Sequence, residues 1–392
     1  MSTQTRWNDT IEIHHPKTLG AAPLPAQRIP IGVPGDCKPC IAQLTGGELL
    51  LVAFHTTQTG DTKPLWGQSV GLRREDALLF RSTDGGQTWS EPDVFAFVGR
   101  EPYFTVLSDG IVLMTAQMLP QDVRNERDHG RAFVHRSTDR GKTWQSREFA
   151  AEDLPGWEPG AFIFYSRTVL ETEDGGLMMG VGCASGYDYQ FRSDDRGATW
   201  HLSETCMYEH FGSGQVRDMG YPVCAEAVYR KAANGDLIGL MRLSPLHLPP
   251  LGGVALPDGH WDHHERLALY RSKDGGKYWS FSEVGSTYAE MYPAILKLHD
   301  GRLLLTFTVR DLHPPLGVRA VLGEETPDGF TFDFEHDRLM LDTKTPAGMD
   351  SGGGFGCTVQ LEDDTLVTSY SYRAQNDQMY SEVVRWKLPD GD

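Results

Sequence analysis

The chain of 392 residues has little positive charge: 36 Lys and Arg stand against 54 Asp and Glu, for a formal net charge of -18. Such a surface repels phosphate backbones and anionic lipid, so neither nucleic acid nor a membrane is an expected partner. A small anionic ligand stays compatible, because a few cations inside a pocket dominate locally whatever the global sign. Long apolar runs are also missing. No stretch of about 18 apolar residues occurs, and the first ten residues are polar, which reads as a cytoplasmic chain. Cysteine is scarce and scattered, at positions 37, 40, 183, 206, 224 and 357. A chain this long builds its core without staples, so free thiols are expected. Cys37-Lys38-Pro39-Cys40 has the spacing of half a zinc site but no second half follows, and neither metal nor cofactor is expected.

What is present is repetition. Four segments follow the pattern S-x-D-x-G-x-x-W: Ser82 to Trp89, Ser137 to Trp144, Ser193 to Trp200 and Ser272 to Trp279, each preceded by an arginine. Ser and Asp hydrogen-bond the backbone of a tight turn, Gly supplies a conformation other residues avoid, and Trp packs back on the sheet. A degenerate copy lies near Pro327 to Phe330. A second repeat is a hairpin, apolar strand, tight turn, apolar strand, with turn positions at 47, 110, 176, 235, 301 and 364. Their separations of 63, 66, 59, 66 and 63 residues give six units of about four strands each, the signature of propeller blades. The expected fold is all-β: a six-bladed β-propeller with four-stranded antiparallel blades and Asp-box turns, residues 1–392 forming one domain. The ring is expected to close by pairing the last strand, near Tyr380 to Leu388, with a segment near Thr10 to His15.

In a blade the innermost strand runs from one face of the disc to the other, and nine residues span roughly 30 Å. Counting back nine from each turn gives Lys38, Glu101, Arg167, Glu226, Tyr292 and Phe355. Five of the six are ionisable or phenolic, and all are expected to ring the mouth of the central channel. Such convergence binds a charged ligand. Arg242, sixteen residues after Glu226, and Arg266, six before Ser272, return to the same face. So does Asp61, in the blade-one segment between the second and third strands. Arg310 and Arg373 end second strands and are readable as mouth residues or exposed ion pairs.

The boxes and their spacing resemble the Asp-box superfamily that includes the sialidases. That resemblance implies an exo-glycoside hydrolase acting on a terminal acidic sugar, with Tyr292 as nucleophile, Glu226 as its partner and Asp61 as acid/base. It implies an arginine clamp for the sugar carboxylate, with Arg242 and Arg266 as two members. By position Lys38, Arg167, Glu101 and Arg310 are read as further substrate-binding residues, Arg167 and Glu101 being readable equally as a salt bridge between neighbouring blades. A neutral tyrosine avoids the repulsion that a carboxylate nucleophile would meet from an acidic sugar. The third arginine of the clamp is replaced: Lys38 stands at the first inner strand, and Arg28-Ile29-Pro30 falls ten residues early. This departure keeps two alternatives open, a lyase or glycosidase acting on uronic-acid glycans and a non-catalytic carbohydrate-binding propeller. His260, His263 and His264 form a polar cluster just before Arg266, read as a loop because adjacent histidines on extended backbone do not face one metal.

Overall fold

The computed structural model describes residues 7–15, 20–65, 67–149, 154, 163–183, 187–205, 207–208, 226–243, 266–284, 289–310, 316–327, 329–334, 338–341, 344–346, 349 and 354–388. These residues form strands and turns with no helix, arranged as a six-bladed β-propeller of antiparallel sheets. Blade one comprises Asp36–Gln43, Leu49–Leu65, Gln68–Ser82 and Asp93–Val98, and blade two Arg100–Val106, Val112–Met118, Arg131–Ser137 and Gln145–Phe149. In blade three the inner strand is split into Ile163–Tyr165 and Leu170–Glu171, both pairing Leu177–Cys183, which is followed by Tyr187–Ser193 and His201–Thr205. Blade four runs through Val228–Lys231, Leu237–Leu243, Arg266–Ser272 and Tyr278–Glu283; blade five through Glu290–Lys297, Leu303–Val309, Gly317–Thr326 and Arg338–Met340.

Blade six holds Thr358–Gln360, Leu366–Arg373 and Met379–Trp386, and its fourth strand is N-terminal. That strand is Gly20–Ile31, in register Arg28 to Val384, and not the Thr10 to His15 segment expected from sequence. Asp9–His15 instead folds back on Gly20–Ile31 and bridges to Arg338–Met340, joining blades five and six into one sheet. Both segments are short extended runs, and only the tertiary pairing distinguishes them.

The second strands are apolar on both faces because each blade is covered by a neighbour on either side; Leu49 to Phe54 are all at most 2% exposed. Every first hairpin closes with the same bond, the N–H at position 47, 110, 175, 235, 301 or 364 donating to the carbonyl three residues earlier, at 2.9–3.1 Å. All six donors lie at positive φ, and Asp364 takes the conformation that glycine holds elsewhere. In blade three the donor is Gly175, one residue before the position read from sequence. The count back of nine therefore lands on Ser166 there, and Arg167 is one step further along.

The four boxes share the Ser–Asp and Gly–Ser bonds, and three of them add a bond from the Trp ring. In blade two Ser137 Oγ donates to Asp139 Oδ1 (2.7 Å) and accepts from Gly141 N (2.8 Å), while Trp144 Nε1 donates to the Gly141 carbonyl (3.2 Å). The arginine before each box serves the neighbouring blade. Arg81 donates to the Gly141 carbonyl, Arg136 to that of Arg196, Arg192 to that of Gly275 and Arg271 to that of Pro327, and in blade six, which has no box, Arg385 donates in the same way to that of Gly85. Five of the six blade junctions thus carry a charge-assisted bond to a turn carbonyl, on the face away from the mouth. Such bonds contribute about 1.5–3 kcal/mol each. Arg136→Met is expected to lower stability by that amount, read as a shift in the denaturant midpoint with unchanged slope.

Candidate active site

Inner-strand bulges build the opposite face. In blades one, two and five the ladder skips between Cys37 and Cys40, Arg100 and Tyr103, and Met291 and Ala294. The bypassed residues are Lys38-Pro39, Glu101-Pro102 and Tyr292-Pro293. Lys38, Glu101 and Tyr292 have φ of 49°, 52° and 55°, and Glu226 joins them at 62°. Left-handed backbone disfavours side chains by roughly 1–2 kcal/mol, so four such residues at equivalent places mark strain held for a purpose. Proline has no N–H, so three of these bulges sacrifice no ladder donor, and a bulge re-aims its side chain.

These side chains meet. Tyr292 is buried, and its phenolic oxygen accepts from three cations: Lys38 Nζ at 3.1 Å, Arg310 Nη1 at 3.3 Å and Arg242 Nη1 at 3.4 Å. Lys38 Nζ also lies 4.5 Å from the centroid of the phenol ring. Arg242 Nη1 donates at 3.1 Å to Glu226 Oε2 as well, so one nitrogen ties the Tyr292 and Glu226 oxygens together. Arg167 Nη2 donates to Glu101 Oε2 (2.7 Å) and to Glu226 Oε1. Lys38 Nζ donates to Glu101 Oε1. The Arg167 guanidinium stacks 4.5 Å from the Phe355 ring, which gives the one apolar member of the ring a function.

Burial works against charge on Glu101, but Lys38, Arg167 and Arg100 together hold its pKa well below the usual carboxylate range. Burial opposes charge on Lys38 as well, yet the Glu101 carboxylate keeps the ammonium above the usual lysine value. Lys38, Arg167, Arg242 and Arg310 thus crowd around the Tyr292 oxygen and the Glu101 and Glu226 carboxylates. Oriented cations of this kind stabilise negative charge that forms or binds among them. The Cys37 thiol beside Lys38 is pushed by burial up to about 12, so it is not a nucleophile.

Of the residues expected at the mouth, Lys38, Glu101, Arg167, Glu226, Tyr292, Arg242 and Arg310 come together. Asp61 does not join them. The loop expected there is a long hairpin arm, Leu49–Leu65 paired with Gln68–Ser82. Asp61 sits in a bulge of that arm, exposed, its backbone N–H donating to Thr59 Oγ1 (3.3 Å), and its side chain has no hydrogen bond or ion pair among the described residues. Arg266 pairs with Leu243 through its backbone, while its side chain and His260 to His264 lie outside the described residues. Arg28 is not at the mouth: it donates to Glu382 Oε1 (2.9 Å) within blade six. Arg373 forms an exposed pair with Asp377 (2.8 Å).

Two members were not read from sequence. Gln117 Nε2 donates to Glu101 Oε2 (3.1 Å), and Arg100 Nη2 lies 3.5 Å from Glu101 Oε1. Gln117 follows Glu101 by the sixteen residues that separate Glu226 from Arg242, so the offset that finds Arg242 finds Gln117. Cys37, Cys40 and Cys357 are free thiols as expected.

Residues 80–91 match the family model of the BNR/Asp-box repeat. No curated protein sequence matches the chain. Among solved structures, a protein of unknown function from Dyadobacter fermentans is 20% identical with a TM-score of 0.63, over 92% of this chain and 98% of that one. The NanB sialidase of Streptococcus pneumoniae is 12% identical with a TM-score of 0.60, over 90% and 68%. The α-L-arabinofuranosidase Arb93A of Fusarium graminearum is 14% identical with a TM-score of 0.56, over 90% and 93%. The chain is thus similar in fold to sialidase-like propellers that carry glycoside hydrolases.

Proposed function

We propose that the chain is a retaining exo-glycoside hydrolase for a terminal sugar bearing a carboxylate, a sialic acid or a related acidic sugar. The observation that carries this reading is the convergence of Lys38, Arg242 and Arg310 on the Tyr292 oxygen, with Arg242 shared by Glu226. Tyr292 attacks the anomeric carbon as its proton passes to Glu226 and the bond from that carbon to the leaving oxygen breaks. The aryl glycoside so formed is then opened by water, which takes the sugar while Glu226 returns the proton to the tyrosine oxygen. Cationic N–H donors around the phenol stabilise the charge that passes through its oxygen in both steps. The same cations receive the sugar carboxylate, with guanidinium forks from Arg242 and Arg310 and a point charge from Lys38. Guanidinium forks that match a carboxylate bidentately select acidic over neutral sugars.

Asp61 is proposed as the proton donor to the leaving oxygen, on the strength of its place in blade one. General acid help matters in proportion to the basicity of the leaving group. Asp61→Asn is therefore expected to hydrolyse nitrophenyl glycosides near the wild-type rate and alkyl glycosides about a hundredfold more slowly; equal effects on both series would remove Asp61 from the mechanism. The reading as a whole is tested by a panel of aryl glycosides of sialic, related keto-sugar and uronic acids beside neutral sugars. Hydrolysis confined to acidic sugars supports it, and an unsaturated product absorbing in the ultraviolet would replace hydrolysis by elimination.

A further inference from the structure

A second cavity, of about 520 Å³, lies between the outer strand of blade six and the flank of blade one. The size suits a drug-sized molecule. Ile31, Leu78, Phe80, Trp89 and Val94 line it, and Val94, at 65% exposure, is the most exposed large apolar side chain among the described residues. Its charged groups are the carboxylates of Asp36, Asp76 and Glu91, beside His55 and Ser90, with no Lys or Arg in the lining.

One row across three strands organises that polar end. Asp36 pairs with His55 and His55 with Asp76 in the ladder. Asp36 is buried at 1% exposure; its Oδ2 accepts from Val33 N (2.9 Å) and its Oδ1 meets His55 Nδ1 at 2.7 Å. In the neutral imidazole a proton on Nδ1 toward the buried carboxylate leaves Nε2 as an acceptor; among the described residues Nε2 has no hydrogen-bond partner. The turn before the strand is moulded to the pair. A Cβ on Gly32 would stand 2.0 Å from Asp36 Oδ2, and one on Gly35 would stand 3.0 Å from His55 Cε1, and both glycines have positive φ. Asp76 is already engaged by Arg74 (2.9 Å) and Arg124 (3.0 Å), so recognition falls to His55 and to Glu91 at the rim.

We infer that this groove is a binding site, separate from the mouth, for a small molecule with an apolar body and a cationic ammonium head. The apolar body lies along Leu78, Phe80 and Val94, and the head donates to His55 Nε2 within the field of the Asp36 and Glu91 carboxylates. Its polarity is the reverse of the mouth, where fixed cations gather around Tyr292.

The test is calorimetric titration of the full chain with hexylammonium, hexanol and hexanoate at low ionic strength, which needs no turnover and so stands or falls apart from the glycosidase reading. Hexylammonium is expected to bind saturably, hexanol at least tenfold more weakly and hexanoate not measurably. Val94→Lys, at an exposed position, is expected to weaken hexylammonium at least tenfold with an unchanged melting temperature, and His55→Ala, which also strips the buried Asp36 of its partner, to weaken it at least tenfold with a lowered melting temperature. Absence of saturable binding, equal binding of hexylammonium and hexanoate, or full retention of binding in both variants would each overturn the proposal.

Discussion

Tyr292→Phe is expected to hydrolyse acidic aryl glycosides at least about a thousandfold more slowly than the wild type while folding normally. The phenol ring stays, so packing against Phe355, 5.7 Å between centroids, and the ring's contact with Lys38 survive. Only the oxygen that gathers Lys38, Arg242 and Arg310 is removed. One donor to a developing charge is worth about 10²–10³ in rate, and deleting the charged atom removes the partner of three. A kcat loss with little change in KM is the expected split, because the clamp cations remain to bind the carboxylate. Circular dichroism and the melting temperature separate this from unfolding.

Arg167→Met is expected to be the most destabilising single change at the mouth, by about 3–5 kcal/mol. Arg167 is 3% exposed and joins two carboxylates on neighbouring blades. Its removal leaves Glu101 buried with one cation fewer and Glu226 without its shorter bond. The pH dependence has a definite sign. Because Glu101 titrates well below the usual carboxylate range, its contribution is present above the ordinary glutamate pKa and is lost as pH falls through the depressed value. In Arg167→Met the folded pKa is less depressed and that loss is complete at higher pH, so the gap between variant and wild type is widest near neutrality and narrows in acid. A gap that does not change with pH would mean that Arg167 acts through packing on Phe355 alone.

Local chemistry explains what was legible in the sequence. Turns built on Asp-Gly and the Ser-Asp-Gly-Trp pattern fix their own geometry within a few residues, so their period counts blades. The nine-residue offset then located Lys38, Glu101, Glu226 and Tyr292, and the prolines that follow Lys38, Glu101 and Tyr292 are sequence-readable marks of a bulge. The offset slipped in blade three because Gly175-Gly176 offers two turn donors and only the hydrogen bond selects the first. Asp61 was misplaced in a loop because a long insertion does not announce that it will continue the strand pairing of its own hairpin. The closing strand was misassigned for the converse reason, since Asp9–His15 and Gly20–Ile31 are both extended and pair with each other. The Arg136 type of inter-blade bond joins residues about sixty apart, and it becomes visible only once the blades are stacked.

The central claim is that Tyr292 carries the sugar. Incubation with a fluorinated acidic glycosyl fluoride, which forms a glycosyl-enzyme quickly and hydrolyses it slowly, followed by peptide mass spectrometry, tests it directly. The expected result is one sugar mass on the peptide that contains Tyr292 and none in Tyr292→Phe. A label on any other residue, or full turnover of substrate by Tyr292→Phe, would contradict the account.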